Sequence, residues 1–400
     1  MLATHDEVAV QRELVERLID ARRQSDALFH LVRTEAIYER PIPERHRIIF
    51  YMGHLEAFDW NLLHERAFGM KSWNPELDRL FAFGIDPVGG GLPNDQPSEW
   101  PSLSVVRDYV TESRRRIDER FAAGATGAVD GDSLTVLLNV AIEHRLMHVE
   151  TLSYMLHQLP FAQKVRTSDV PEPAPTTANG GMIEIPAGSV TLGLTRSTGE
   201  FGWDNEYEAH TDNVPGFAMD RDKVSNRQYA EFIAAGGYDN RTLWSDEDWS
   251  WIKAQGISHP VFWTRAADAW RYRTMFEEVP LPLDWPVYVS HAEAMAYTRW
   301  AGKSLPTEAE WQRAASGAVP GVQGLYGNGW EWTSSVFQPF AGFEPFPFYR
   351  GYSADFFDGK HFVMKGGSPV TAACMLRPTF RNWFQPHYQY VYAGFRCVNR

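Results

Sequence analysis

The chain carries, at residues 143–150, the stretch Glu143-His144-Arg145-Leu146-Met147-His148-Val149-Glu150. This stretch lies inside a run from Ser133 to Leu159 whose apolar residues recur at the three- to four-residue spacing of an α-helix. Because residues four apart lie on the same face of a helix, His144 and His148 can bind one metal ion without distortion of the backbone. Histidine pairs at this spacing also occur as ordinary packed or surface residues, so the pair alone leaves the metal site open.

Three further helices are predicted before this one, over residues 6–35, 47–68 and 102–123. Between the second and the third, residues 73–101 are rich in Gly and Pro and predict a long loop. Four helices with one long connection predict a helix bundle over residues 1–166, a fold in which metal sites are built from side chains on facing helices.

The second part of the chain has a different character. Residues 167–181 are rich in Pro, Thr and Gly without an apolar period, which predicts a linker. A second domain over residues 182–400 is predicted to begin with two short strands around a Pro-Ala-Gly turn. Helical segments follow near residues 225–235 and 290–301, and turns and short strands from Gly317 onward. The sequence therefore predicts an α+β protein.

Composition restricts the possible functions. The chain has 44% hydrophobic, 22% charged and 14% aromatic residues, which is typical of a globular protein with aromatic-walled pockets. A formal net charge of −13 argues against nucleic-acid binding. Cys374 and Cys397 are too few for a disulfide framework. There is no N-terminal apolar segment and no run of about 18 apolar residues, so we expect a cytoplasmic monomer or weak homo-oligomer without a membrane partner.

A third histidine, His54, lies in the second predicted helix. In a bundle it can meet His144 and His148 across the core, which gives three neutral nitrogen ligands that suit zinc, iron or copper. Such a set leaves open positions for O2 and a soft donor, whereas a closed structural zinc site needs a fourth protein ligand. Glu150 points to another side of its helix, and we expect it in structural contacts rather than on the metal.

The His54 segment and the pattern His144-x-x-x-His148-x-Glu150 resemble the DinB-like four-helix bundle of the ergothioneine-biosynthesis sulfoxide synthases (EgtB-like). The second half resembles the formylglycine-generating/sulfatase-modifying fold, a C-type-lectin-like domain. The motifs of this half are Ile185-Pro-Ala-Gly188, Pro286-Val-Tyr-Val-Ser290, Trp300-Ala-Gly-Lys-Ser-Leu-Pro-Thr-Glu-Ala-Glu-Trp311, Gly327-Asn-Gly-Trp-Glu-Trp332, Gly366-Gly-Ser368 and Gly394-Phe-Arg396. We interpret the Leu-Pro-Thr-Glu-Ala-Glu-Trp and Gly-Asn-Gly-Trp-Glu-Trp motifs as turns and aromatic packing.

The resemblance implies a reaction. Enzymes of this family hold Fe(II) on three histidines and use O2 to join a sulfur donor to C2 of the imidazole of hercynine (trimethyl-histidine), giving a sulfoxide. The implied ligands here are His54, His144 and His148, in an active site expected between the two domains. The formylglycine-generating reaction itself needs a close cysteine pair, which Cys374 and Cys397 do not match.

The segment Arg377-Pro-Thr-Phe-Arg381-Asn382-Trp383 resembles the family's substrate-binding stretch. The match implies that Asn382 binds the hercynine carboxylate and that Trp383 faces its quaternary ammonium by cation–π attraction. It also makes Arg377 and Arg381 candidate substrate-binding residues. Met147 falls where the family often has Gln beside the substrate.

Three departures from the family pattern concern the donor. The stretch Tyr-x-Pro-Tyr, which supplies the family's catalytic tyrosine, is Phe337-Gln-Pro-Phe340 here, and a phenyl ring cannot deliver a proton. Phe384 stands where sulfoxide synthases often have an acid, and the loop after the second helix lacks the arginine pair that binds a peptide thiol. We therefore count Phe337, Phe340 and Phe384 among the substrate-binding residues, in an aromatic pocket that suits a sugar ring.

A related branch, the selenoneine synthases (SenA-like), uses a selenosugar as donor. A selenolate is more nucleophilic and more easily oxidised than a thiolate, so it depends less on the tyrosine proton. We therefore favour a selenoneine synthase over an ergothioneine sulfoxide synthase that uses γ-glutamyl-cysteine or cysteine. A thiol dioxygenase, a structural zinc protein and a non-catalytic metal-binding module remain as alternatives.

Overall fold

The computed structural model describes residues 5–84, 91–124, 133–167, 180–267, 269–317 and 320–400, with side chains described from Ala9 onward. The chain divides into two units, Met1–Ser168 and Asp169–Arg400. The predicted linker, residues 167–181, lies outside the described residues except at its two ends.

The first unit is helical. Its described residues form helices α1 (His5–His30), α2 (Ile48–Leu63), α3 (Pro75–Phe83), α4 (Leu103–Ala122) and α5 (Leu134–Gln158). Helix α1 packs on α5, and α2 packs on α3, α4 and α5. The four long helices predicted from the sequence are present, and α2 and α5, which carry the three histidines, are neighbours.

The loop predicted over residues 73–101 is wrong in its first part, because Pro75–Phe83 form α3. The Asn74 side chain accepts a hydrogen bond from the backbone N–H of Leu77 at 3.2 Å, and Pro75 occupies the first turn, where its missing N–H costs nothing. The sequence contains this capping signal, but the prediction of a loop rested on the glycines and prolines of residues 87–101.

The second unit contains four α-helices and twelve strands among its described residues. The helices are α6 (Asn226–Ala234), α7 (Asp246–Gln255), α8 (His291–Trp300) and α9 (Glu308–Ala315). The strands are β1 (Met182–Ile185), β2 (Gly188–Leu192), β3 (His210–Val214), β4 (Phe217–Asp220), β5 (Trp263–Ala266), β6 (Ala269–Arg273), β7 (Glu278–Pro280), β8 (Gly329–Val336), β9 (Phe362–Gly367), β10 (Asn382–Phe384), β11 (Ala393–Gly394) and β12 (Val398–Asn399). They form sheets in the orders β1-β4-β12, β10-β9-β8-β11, β2-β3 and β5-β6-β7.

Most sequence expectations for this unit are confirmed, including the two initial strands and the two helical segments, which are α6 and α8. One is wrong: the Leu-Pro-Thr-Glu-Ala-Glu-Trp motif begins helix α9 instead of forming a turn. The Thr307 hydroxyl accepts the N–H of Glu310 at 3.1 Å, and the Glu310 carboxylate accepts the N–H of Thr307 at 2.7 Å. This reciprocal capping box satisfies two backbone donors that would otherwise lack partners at the helix start.

The four-stranded sheet positions the predicted substrate residues. Strand β10 pairs antiparallel with β9, which places Trp383 opposite Val363, and β9 pairs antiparallel with β8. Trp330 and Trp332 of β8 are buried and anchor this sheet in the core. At Gly366 (φ +92°) a Cβ atom would lie 2.3 Å from the Leu325 carbonyl oxygen, so only glycine fits in β9 at that point.

Candidate active site

Helices α2 and α5 bring the three predicted histidines together. The ligand nitrogens of His54, His144 and His148 all lie within 4.8 Å of one another, the only such group of histidine, cysteine and acidic side chains found in the described part of the chain. His54 Nε2 lies 3.2 Å from His148 Nε2. Two imidazole nitrogens bound at a right angle to one metal, each at about 2.1 Å, are about 3 Å apart. The spacing therefore fits a metal ion held by three nitrogens.

The His54 ring is oriented by the backbone of α3. Its Nδ1 atom lies 2.7 Å from the carbonyl oxygen of Phe81. A carbonyl only accepts hydrogen bonds, so Nδ1 carries the proton and Nε2 presents its lone pair to the cluster. Sequence reasoning missed this contact because it missed the helix that supplies it.

The three imidazoles are neutral at pH 7. Burial lowers the pKa of His54 to about 4, and it lowers the pKa values of His144 and His148 well below the ordinary histidine value. The neighbouring histidines and Arg145 act in the same direction on His144 and His148. Neutral imidazole is the form that binds metals, so the site is prepared for a cation without releasing protons.

Aromatic rings wall the cluster. Phe58 stacks on His144 with ring centroids 3.4 Å apart, and Phe50 stacks on His54 at 4.7 Å. The Tyr51 ring lies 5.6 Å from the ring of His148. Burial raises the pKa of Tyr51 to about 12, so a neutral phenol lies beside the histidines. The spacing of Phe50 and Phe58, four residues on either side of His54, is the sequence signal that could have identified them.

A buried arginine fixes the two histidine-bearing helices to each other. Arg145, next to His144 on α5, is completely buried. Its Nη1 atom lies 2.9 Å from Glu56 Oε1 and its Nη2 atom 2.6 Å from Asp59 Oδ2, both on α2. Breaking a buried pair of this kind leaves an uncompensated charge, at a cost of about 3–5 kcal/mol. Glu150 is buried on α5 and lies outside the three-histidine group.

Trp383 lies in an aromatic cluster of the second unit. Phe337 stacks on it with centroids 4.1 Å apart and planes 8° from parallel, while Tyr352 and Phe356 approach at 5.3 and 5.6 Å. Phe337 is fully buried, Trp383 is half-buried and Phe356 is 36% exposed. Phe337 therefore supports the inner face of Trp383, and the ring surface open to a ligand belongs to Trp383 and Phe356.

The other predicted substrate residues occupy different surroundings. The side-chain oxygen of Asn382 accepts the backbone N–H of Trp383 at 2.9 Å. Phe384 stacks on Tyr388 with centroids 4.9 Å apart. Phe340 packs edge-on against His210 at 4.5 Å, and Met147 is half-buried beside His148 on α5.

The two predicted substrate arginines are held by buried carboxylates. Arg377 makes a bidentate pair with Glu206 at 2.9 and 2.5 Å. Arg381 makes one with Glu308 at 2.9 and 3.1 Å, and its guanidinium lies 4.1 Å from the ring centre of Phe340. These contacts favour structural roles over the expected substrate binding, because a substrate carboxylate would have to displace a fork-shaped ion pair.

No helix in the described ranges is both long and apolar enough to span a lipid bilayer.

Comparison with known proteins agrees with this architecture. Residues 167–320 and 318–400 match the family model of the sulfatase-modifying factor enzyme 1-like domain. The chain is 32% identical over 438 residues to a hercynine oxygenase of Mycolicibacterium thermoresistibile, covering 96% of this chain and 94% of the relative. It belongs to the hercynine oxygenase family. A hercynine oxygenase of Mycobacterium tuberculosis is 33% identical over 390 residues, covering 85% of this chain and 90% of the relative.

A more distant relative is ergothioneine biosynthesis protein 1 of Neurospora crassa, 25% identical over 498 residues, which cover 91% of this chain and 55% of that protein. Membership of the hercynine oxygenase family confirms the predicted family, the α+β arrangement of a helical region before a sheet-rich domain, and the prediction that the chain is an oxidoreductase.

Proposed function

We propose that this chain is a non-haem iron(II) enzyme that uses O2 to form a carbon–chalcogen bond at C2 of the hercynine imidazole. The observation that carries the proposal is the convergence of His54, His144 and His148 in a member of the hercynine oxygenase family. Iron(II) held by these nitrogens would supply open coordination positions and the redox chemistry of the reaction.

The residues around the cluster have defined tasks in this proposal. The neutral imidazoles leave the metal its full charge, which favours an anionic donor. Phe50 and Phe58 hold two of the rings in place and exclude water from their faces. The location of the active site between the two domains stays a prediction.

Hercynine recognition is assigned to β10. The half-buried Trp383 offers one face to a quaternary ammonium while Phe337 covers the other. Asn382 is assigned the hercynine carboxylate, and its hydrogen bond to the N–H of Trp383 keeps these two side chains in a fixed relation.

For the donor we propose a selenosugar. Phe340 and Phe384 bring no charge, and the guanidiniums of Arg377 and Arg381 are engaged by Glu206 and Glu308. A peptide thiol carries an ammonium and two carboxylates, and each of these left unpaired on desolvation costs several kcal/mol. A sugar selenolate brings one charge, which the metal neutralises, and its ring can pack on phenylalanine.

A sulfur donor, γ-glutamyl-cysteine or cysteine, is the second candidate. The observation that favours it is the similarity to a protein named for ergothioneine biosynthesis. In that case the chain would be an ergothioneine sulfoxide synthase despite the phenylalanines at positions 337, 340 and 384.

A donor panel separates the candidates. Purified protein is incubated with iron(II), O2, hercynine and one donor at a time: selenosugar, thiosugar, γ-glutamyl-cysteine or cysteine. We expect kcat/KM for the selenosugar to exceed that for γ-glutamyl-cysteine by at least about a hundredfold, equivalent to about 2.7 kcal/mol. A higher kcat/KM for the peptide thiol would instead indicate an ergothioneine sulfoxide synthase. Tightly held zinc with no turnover on any donor would contradict both and favour a structural metal site.

A further inference from the structure

Helix α3 packs closely against α2, the helix that carries His54. The Phe81 carbonyl, near the C-terminal end of α3, lies 2.7 Å from His54 Nδ1. At Gly53, the neighbour of His54, a Cβ atom would lie 2.4 to 2.5 Å from three ring atoms of Phe81. The Phe81 ring is fully buried and could not swing into solvent. Glycine at position 53 therefore allows the approach that lets the carbonyl reach His54.

One carboxylate, Asp78, fixes α3 in this position. It lies three residues before Phe81 on the same helix and is 6% exposed. Asp78 accepts hydrogen bonds from the Trp60 indole on α2 at 3.1 Å and from the Tyr109 hydroxyl on α4 at 2.6 Å. It also accepts one from the Ser72 hydroxyl in the segment before α3. The carboxylate thus cross-links α3 to both neighbouring helices.

We propose that Asp78 is a positioning residue of the metal centre. By anchoring α3 it holds the Phe81 carbonyl on His54 Nδ1, which fixes the tautomer and the direction in which Nε2 points. A backbone acceptor on the outer nitrogen of a metal-bound histidine also raises the basicity of the ligand nitrogen, and loss of such a partner typically lowers metal affinity by about 10- to 100-fold. The inference rests on the proposed metal centre and adds a residue that does not itself touch the metal or substrate.

Two variants weaken the contact between the Phe81 carbonyl and His54 Nδ1 in different ways. Asp78→Asn keeps the size of the side chain but replaces one acceptor oxygen by an amide NH2 group. The side chain then loses either its acceptor for Tyr109 or its acceptor for Trp60 and Ser72. Gly53→Ala pushes the Phe81 ring away from α2. The control is Asp95→Asn, because Asp95 is also a buried carboxylate of the first unit that accepts a tryptophan indole, from Trp100 at 2.7 Å, but lies outside α3.

The test uses the full chain and Co(II) as the probe, with dissociation constants and the visible absorption spectrum measured by titration. We expect Asp78→Asn and Gly53→Ala to raise the Kd for Co(II) by about tenfold or more and to change the Co(II) spectrum. Asp95→Asn should leave the Kd and the spectrum at wild-type values, even though it lowers the urea midpoint. Adding Phe81→Leu to Gly53→Ala should recover part of the affinity, because it removes the ring atoms that meet the new Cβ.

The Co(II) titrations distinguish a positioning role of Asp78 from a general effect on stability. Unchanged Co(II) affinity and spectrum in Asp78→Asn and Gly53→Ala would overturn the inference, whatever happens to their stability. So would an equal loss in Asp95→Asn, since the effect would then not be specific to the carboxylate that anchors α3. If the wild-type protein itself bound no Co(II), the proposed metal centre would fail, and the inference with it.

Discussion

Replacing Trp383 by alanine is expected to weaken hercynine binding much more than donor binding. Phe337 covers the inner face of the half-buried Trp383 ring at 4.1 Å, so the outer face remains for a ligand. A quaternary ammonium there would be partly desolvated, which places the contact between the exposed and the fully buried cation–π regimes, at about 1–2 kcal/mol. This corresponds to a roughly five- to thirtyfold rise in the hercynine KM.

The assay is steady-state turnover with hercynine varied at saturating donor, and then with the donor varied at saturating hercynine. Trp383→Phe keeps an aromatic face with a weaker quadrupole and should show a smaller rise than alanine. The matched control is Trp270→Ala, because Trp270 is another half-buried tryptophan of the second unit, 5.2 Å from the Arg265 guanidinium on a different sheet. An unchanged hercynine KM in Trp383→Ala, or an equal rise in Trp270→Ala, would show that Trp383 only packs against Phe337.

Further predictions concern the metal, the donor and pH. Replacing His54, His144 or His148 by alanine should each lower iron content and turnover by more than about tenfold. His64→Ala, a half-buried histidine of the same unit that bonds the Trp60 carbonyl at 2.9 Å, should leave both near wild type, and normal iron in any of the three variants would remove that residue from the ligand set. Phe384→Asp should narrow the kcat/KM ratio between selenosugar and γ-glutamyl-cysteine, because a carboxylate can pair with the peptide ammonium; an unchanged ratio would place Phe384 away from the donor. Unfolding free energy of the metal-free protein should fall as pH is lowered from about 6.5 towards 4, because burial lowers the pKa of His54 to about 4 and only the unfolded chain takes up its proton in that window. Urea titrations at pH 7 and pH 5 measure this loss, and it should be smaller in His54→Ala; an equal loss there would exclude His54 as its source.

The three-histidine cluster could be predicted from the sequence because its geometry is mostly local. His144 and His148 are one helical turn apart, and a bundle leaves few places for the helix that carries His54. Helices α6 and α8 were equally predictable, because they begin with capping boxes at Ser225 and Ser290 that are visible in the sequence.

What the sequence could not provide are contacts between distant segments. Arg377 and Arg381 are matched by Glu206 and Glu308, which lie 171 and 73 residues away, so a local motif could not show that their guanidiniums are engaged. In the same way, the burial of Phe337 behind Trp383 depends on the pairing of β10 and β8 through β9. The Phe81 carbonyl, which orients His54, is a backbone atom and leaves no signal in side-chain patterns.

The central claim, bond formation at C2 of hercynine, is tested most directly with hercynine carrying deuterium at that carbon. Protein loaded with iron(II) is incubated with O2, the labelled hercynine and a selenosugar or thiol donor. The product masses are measured by mass spectrometry and compared with those from samples without enzyme and with the His144→Ala variant. We predict an adduct of hercynine and donor that has lost the deuterium, formed only by the wild-type protein with iron and O2 present. Recovery of hercynine with its label intact, alongside an oxidised donor, would contradict the proposed reaction and identify a dioxygenase acting on the donor alone.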